Sequence, residues 1–303
     1  MITIFTPTYN RKHLLERCFK SLVNQTNHNF EWLIIDDGST DGTKEYINKI
    51  SSNIPFKITY IYQKNGGKHR AHNTAVKKCK NDYFLILDSD DILDEKCVEI
   101  LNKKIKKINN IETISGIIGN RFRIDNKKVI GTEIPNEIMI SGLELYQKKG
   151  FKGDTLRLYK TKILKNYLFP EIENENFIYE NVVFDKIDTK YKLLTINNKL
   201  YYGEYQENGY TSQSNKLKKN NPIGYSLSLK SSAETAVVFR KKVNWTLLYI
   251  IWCRKMKING FKNFKKKILY IILEPVTWVM DFIKYPCFFY NLFKKEEEEW
   301  KKN

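Results

Sequence analysis

The chain has 303 residues, 42% of them apolar and 14% aromatic, with a formal net charge of +18. That length supports one large or two modest domains with a sizeable core, and the aromatic share excludes a disordered chain. The positive excess points to an anionic partner: nucleotide, nucleic acid or anionic lipid. Cys18, Cys79, Cys97, Cys253 and Cys287 are scattered, odd in number and form no CxxC pair. They imply reduced thiols in a cytosol and no zinc site. Met1 to Phe5 enters a strand at once, without the basic start and long apolar run of a secretion signal.

Ile2 to Phe5 is predicted as the first strand and Thr6 to Arg11 as the loop leaving it. Leu14, Leu15, Cys18, Phe19, Leu22 and Val23 then recur at helical spacing. Phe30 to Ile35 reads as a second strand, ending in Asp36-Asp37-Gly38-Ser39-Thr40-Asp41-Gly42. Those residues are turn formers with a helix cap, ahead of a helix over Lys44 to Ile50. Ile58 to Tyr62 is a third strand, followed by Gln63 to Lys68 and a helix over His69 to Cys79. Tyr83 to Leu87, an unbroken apolar run, reads as a fourth strand buried on both faces.

Strands alternating with helices in this way specify a mostly parallel sheet covered on both faces. Ligands of such sheets sit outside the carboxyl ends of the strands. Pro7 to Asn10, Asp36 to Gly42, Asn65 to Lys68 and Asp88 to Asp91 all follow strands, so they converge on one rim. Asp88, Asp90 and Asp91 crowd three carboxylates into four residues. Such acids repel one another unless a cation or hydrogen-bond donors hold them. Hard oxygen ligands suit Mg²⁺ or Mn²⁺ and, through it, a diphosphate; the alternative is a solvated Asx-rich turn in which Asp91 or Asp94 caps the next helix.

Beyond a helix over Glu95 to Lys107 the pattern changes. Ile114 to Ile118, Arg121 to Asp125 and Val129 to Thr132 read as short antiparallel strands, and Thr155 to Tyr159 as another, with a helix through Leu164. Phe169-Pro170-Glu171 opens an acidic loop, a helix lies near Tyr179 to Phe184, and Leu193 to Tyr205 reads as strand. From about Ser231 the reading is helical and increasingly basic.

Taken together, Thr6-Pro7-Thr8-Tyr9-Asn10-Arg11, Asp36 to Asp41, Asn65-Gly66-Gly67-Lys68 with Ala71-His72-Asn73, and Leu87-Asp88-Ser89-Asp90-Asp91 resemble the family-2 glycosyltransferases in order and spacing. The resemblance covers roughly residues 1–230. It implies a GT-A fold, an inverting mechanism and a nucleotide-sugar donor, most often a UDP-sugar carrying a hexosyl or N-acetylhexosaminyl group. It also implies a bacterial role in surface polysaccharide assembly. Residue by residue, Pro7, Tyr9 and Asp37 match positions that hold the uridine. Tyr9 offers a stacking face, or simply packs, and Asp37 offers a carboxylate for the uracil N–H. Asn65, Gly67 and Lys68 match the next donor-contacting loop. There glycine permits close approach, and Lys68 either meets a phosphate or lies on the surface. His72 is a hydrogen-bond donor near the donor site or a structural helix histidine. Asp90 matches the metal ligand and Asp88 the residue that contacts ribose or sugar, with Asp91 as a helix cap or supporting acid.

Inversion by single displacement needs a carboxylate that takes the acceptor hydroxyl's proton. Glu180 matches the family's position for it, although this chain has Glu180-Asn181 where many members have Glu-Asp. Glu171, Glu173 and Glu175 are weaker candidates in a more solvated segment. Asp154, after Gly153, resembles an acceptor- or sugar-contacting position, or a turn at a strand edge. Tyr205 to Thr211 resembles the family's mobile loop. Two other readings compete. A sugar-nucleotide nucleotidyltransferase normally has a Gly-rich basic loop after the first strand, which Thr6 to Arg11 lacks. A nucleic-acid module needs exposed aromatics among lysines on a sheet face, whereas these strands read as buried, so no nucleic-acid partner is expected.

Residues 240–303 hold 15 Lys/Arg and 6 Asp/Glu. Residues 231–303 are therefore set apart as a basic amphipathic helical extension beyond a domain of residues 1–230, itself divided into a nucleotide-binding part (1–110) and an acceptor-binding part (111–230). Glu274, Pro275, Asp281, Lys284 and Pro286 interrupt the apolar run, which excludes a membrane-spanning helix. Aromatics mixed with lysines suit a helix lying on an anionic membrane surface, or else one that packs on the core or self-associates. The expected setting is cytoplasmic, peripheral at the inner face of the cell membrane, with a glycan or lipid-linked oligosaccharide as acceptor.

Overall fold

The computed structural model describes residues 1–204 and 214–282, with side chains through residue 280. Strand β1 (Ile2–Thr8), helix α1 (Lys12–Val23), strand β2 (Phe30–Asp36), helix α2 (Thr43–Ile50), strand β3 (Lys57–Tyr62), helix α3 (Lys68–Lys78) and strand β4 (Tyr83–Ile86) follow the expected alternation. β3, β2, β1 and β4 are neighbours in that order, all parallel. β1 runs through Pro7, although proline cannot donate to a ladder. The Phe5 carbonyl accepts from Leu87 N, and two residues on Pro7 turns its nitrogen to the same side. There the β1–β4 pairing has already ended at Phe5, so no ladder bond is lost.

Short strand β5 (Ile92–Leu93) and helix α4 (Cys97–Ile108) lead to strand β6 (Ile114–Arg123). The expected break at Gly119 is a bulge instead: β6 is continuous, with register shifts beside Gly116 and Gly119. A side chain at Gly116 would strike the Leu158 carbonyl, which is why that strand needs glycine. Val129 makes only an isolated bridge to Phe122, and no strand forms over Val129 to Thr132. Strand β7 (Met139–Ile140), helix α5 (Gly142–Gln147), strand β8 (Thr155–Lys160), helix α6 (Thr161–Leu164), helix α7 (Asn181–Asp188) and strand β9 (Lys192–Gly203) follow. β8 lies antiparallel between β4 and β6, while β9 runs parallel to β6 and antiparallel to β5 and β7. The expectation that β6 has only antiparallel neighbours is thereby corrected. The whole is a mixed, mostly parallel α/β sheet covered by helices on both faces.

Alternation within strands divides the core in two. Phe30, Trp32 and Ile34 of β2 face α1, α2 and α4, while Leu33 and Ile35 face α3 and α7. A third cluster holds the C-terminal helices. These are α8 (Ser214–Asn220), α9 (Pro222–Thr235), α10 (Phe239–Lys255), α11 (Gly260–Asn263) and α12 (Lys267–Phe282). Leu229 and Ala233 of α9 pack with Tyr249, Ile250 and Cys253 of α10, with Phe264, and with Tyr270 of α12. Helix α9 crosses residue 230, where the sequence reading sets its boundary.

Two polar anchors dock α9 beside the N-terminal end of α7. Glu175 is buried and accepts from Ile223 N (2.8 Å) and Gly224 N (2.6 Å), capping the first turn of α9. It is therefore not the solvated carboxylate expected from its neighbourhood. Asn181 donates to Ser228 O and Ser232 Oγ and accepts from Ser228 Oγ. This accounts for amide rather than acid beside Glu180: a carboxylate could accept but not donate.

Candidate active site

The four polar loops meet at the carboxyl ends of β1 to β4, as parallel topology requires. Asn10, with φ of 50°, donates its backbone N–H to Ser39 Oγ and accepts from Thr40 N. Asp41 accepts from Lys12 N, capping α1 from across the rim, and from both N and Oγ1 of Thr43 at the start of α2. Asp36 accepts from Ser39 N and the Tyr60 hydroxyl. Tyr9 stands at this rim with 49% of its surface exposed.

Asp37 is buried and already surrounded by donors. Its carboxylate accepts from Gln63 Nε2 (2.7 Å), Asn65 Nδ2, Gly66 N and Gly67 N (2.7 Å). Burial nevertheless raises its pKa above the ordinary carboxylate value. Asp37 therefore shapes the Asn65–Gly67 loop, whatever it offers a ligand. Gly67, at φ 93°, is irreplaceable for a related reason: a Cβ there would collide with the Asn176 carbonyl. The close approach that glycine permits is made by the protein's own chain. Arg70, which the sequence reading passed over, secures that contact by donating to Gly66 O, Ile172 O and Glu175 O.

Lys68 joins residues distant in sequence. Its ammonium lies 2.8 Å from Asp88 Oδ1 and 3.0 Å from Glu180 Oε1. Burial alone would lower the lysine pKa, but Asp88 and Glu180 outweigh it and hold the ammonium charged. Burial likewise opposes ionisation of Asp88, and Lys68 prevails, so Asp88 titrates below the usual range. Glu180 stands at the N-cap position of α7 without a side-chain capping bond, rather than lying within the helix, and its side chain is 53% exposed. A carboxylate so placed is reachable by an incoming hydroxyl.

Asp88, Asp90 and Asp91 each offer an oxygen, all within 4.8 Å of one another. Each faces a cation: Lys68 for Asp88, Arg11 for Asp90 (3.3 Å) and Arg121 for Asp91 (2.5 Å). Asp91 is fully committed, since its second oxygen accepts from the Tyr201 hydroxyl and the residue is buried. Burial and the charges of Asp88 and Asp90 push Asp91 upward, against Arg121. It supports the cluster and caps no helix, for β5 follows it directly. Asp88 and Asp90 keep accessible faces, so the hard-oxygen donor set fits a divalent cation there. Arg121 also reaches Asp154 Oδ2 at 2.8 Å, tying that residue to the cluster. It escaped the sequence reading because it looked like one more strand residue. The loop expected at Tyr205 to Thr211 lies outside the described residues.

His72 does not join the rim. It is buried among Phe5, Phe84, Phe169 and Phe184, with ring centroids 5.1 to 6.3 Å away. Neither ring nitrogen meets a hydrogen-bonding partner among the described residues. Burial, aided by Lys68, lowers its pKa from 6.5 to about 3, so the native imidazole is neutral. The sign of the pH effect follows. Between those values the unfolded chain binds a proton that the native one refuses, so the stabilisation is complete above pH 6.5 and is lost as pH falls. The slope is about 1.4 kcal/mol per pH unit. Urea unfolding of His72→Leu should lose this slope between about pH 7 and 5. Equal losses in variant and wild type would mean that a water or other group satisfies the imidazole.

Comparison with known proteins finds similar sequences and a similar fold. The family model described as Glycosyl transferase family 2 matches residues 3–168. Glycosyltransferase GlyA of Streptococcus pneumoniae serotype 4 is 28% identical over 217 residues, covering 66% of this chain, which spans only 30% of that protein. An Escherichia coli enzyme, UDP-Glc:alpha-D-GlcNAc-diphosphoundecaprenol beta-1,3-glucosyltransferase WfgD, is 30% identical over 178 residues, covering 58% of this chain and 67% of its own length. Among solved structures, the mannosyltransferase PcManGT from Pyrobaculum calidifontis, in complex with GDP-Man and Mn²⁺, shares the fold. Its TM-score is 0.59 at 15% identity, covering 99% of this chain and 84% of that one.

Proposed function

The chain belongs to glycosyl transferase family 2, and we propose that within it the protein is a metal-dependent, inverting transferase. It would move a sugar from a UDP-sugar to a glycan or lipid-linked acceptor in bacterial surface polysaccharide synthesis. The observation that carries this reading is the position of Lys68, within 3.0 Å of both Asp88 and Glu180. It places the carboxylate suited to accept a proton beside the acidic cluster suited to a cation. The Escherichia coli relative named for UDP-Glc and a diphosphoundecaprenol-linked sugar supports the donor and acceptor classes.

In this mechanism Tyr9, standing free at the rim, covers the uracil, with Pro7 and Asp37 forming the wall behind it. Asn65 and Gly67 shape the neighbouring loop, and Asp88 reads a ribose or sugar hydroxyl. Asp90, with Asp88 beside it, would hold Mn²⁺ or Mg²⁺, which when bound neutralises charge developing on the leaving diphosphate. Lys68 adds a fixed positive charge at the same place. Glu180 takes the proton of the acceptor hydroxyl as that oxygen attacks the anomeric carbon. His72, enclosed by phenylalanines, is left out of the donor set and serves the core beneath it. Peripheral attachment at the inner membrane face completes the proposal.

Thermal shift with UDP and Mn²⁺ tests the donor site. At a hundredfold excess over Kd, ligand should add about 2.7 kcal/mol of stability, with a smaller gain for UDP alone. No shift with UDP, together with salt-sensitive binding of oligonucleotides, would favour the nucleic-acid reading. Screening UDP-sugars for slow hydrolysis then names the sugar.

A further inference from the structure

Helix α12 is apolar on two opposite faces, and only one is packed against other described residues. Tyr270 and Thr277 are buried, and Leu273 packs with Tyr270 against the α9–α10 cluster. Ile268, Ile271, Ile272, Val276 and Val279 recur at the spacing of the opposite face and stand exposed, Ile268 by 76% and Ile272 by 62%. No described acidic side chain interrupts that row, since Glu274 falls outside its spacing. Solvent-facing apolar rows of this length need an occupant.

The charge around it says which. Lys262, Lys265, Lys266 and Lys267 are exposed at the helix's N-terminal end. Lys265 to Lys267, Phe239, Ile268, Leu269 and Ile272 line a cleft of about 620 Å³, apolar inside with an ammonium rim. The Lys266 ammonium is crowded by that of Lys242, which lowers its pKa, a repulsion that an anion would relieve. Trp278, 59% exposed, stacks on the Arg254 guanidinium at 4.3 Å, an amphipathic pair suited to a headgroup layer. α12 spans 16 residues, and no helix among the described residues is long and apolar enough to cross a bilayer.

We propose that the outer face of α12, with the Lys265–Lys267 cluster and its cleft, is an in-plane docking surface for anionic phospholipid. Isoleucines enter the acyl boundary while the lysines bind headgroup phosphates. This deepens the peripheral-membrane reading above and rests on it. It also narrows the surface: Thr246, Leu247, Tyr249, Ile250 and Cys253 of α10 are buried, so α10 offers lipid only its first residue, Phe239, beside α12 and its flanks. Because Glu175 and Asn181 hold α9 beside Glu180, the docked face is mechanically continuous with the base.

Flotation of the full chain tests this, with phosphatidylcholine vesicles against vesicles that also contain phosphatidylglycerol. The wild type should float with the anionic vesicles and lose affinity as salt rises. Replacing Lys265, Lys266 and Lys267 by Gln should lower vesicle affinity roughly 10²-fold, each lysine contributing about fivefold. Ile268→Ser with Ile271→Ser and Ile272→Ser should abolish flotation while raising solubility. The UDP thermal shift should stay unchanged in both variants, which separates failure here from failure of the transferase reading. Three results would overturn the proposal. One is a wild type that never floats; another is a dimer by light scattering that the isoleucine variant converts to monomer. The third is a large loss of thermal stability in that variant, which would mean that the chain itself covers the face.

Discussion

Glu180→Gln is expected to lower sugar transfer by roughly 10²–10⁴-fold, the range typical of losing a general base. The amide preserves size and removes only the proton acceptor. Lys68 keeps Asp88 at 2.8 Å, so the donor site should retain its shape and UDP should bind as before. The pH profile adds a second readout: the acid limb of kcat/KM, which reports the free base in wild type, should vanish from the residual activity. Near-normal turnover would move the search to Asp154 or Glu173. Glu175 would not be its successor, because its carboxylate is spent on the first turn of α9.

Asp90→Ala should remove metal-dependent UDP binding while leaving the fold intact. The fold survives because Arg17 Nη2 bonds the Asp90 backbone carbonyl, at 2.7 Å, and truncation does not touch that bond. What disappears is the carboxylate facing Arg11. Losing a group that merely supports a metal ligand already costs about 10–100-fold in affinity, so losing a ligand should exceed that. Calorimetry with UDP, with and without Mn²⁺, decides the matter. If the metal-dependent increment persists in the variant, the ion is held elsewhere.

Much of this was legible in the chain. Period-two and helical repeats, read from Ile2 to Leu87, prescribed a parallel sheet with four polar loops on one rim, because a buried strand and an amphipathic helix each write their burial into side-chain order. The crowding of Asp88, Asp90 and Asp91 was visible because like charges at such spacing require compensation. What the chain could not display was who supplies it. Arg11, Lys68 and Arg121 come from different loops and strands, and only folding brings Lys68 to Glu180, 112 positions away. The same limit hid the engaged carboxylates of Asp37, Asp91 and Glu175, whose partners are mostly backbone N–H groups, a buried hydroxyl and an arginine from other segments. His72 read equally as a hydrogen-bond donor at the donor site or as a structural helix histidine, and only packing shows four phenylalanines closed around it. Local order along the chain determines which elements form and which faces they bury. Long-range packing alone decides which charges meet, because a residue's partner is set by distance in space and not by distance in sequence.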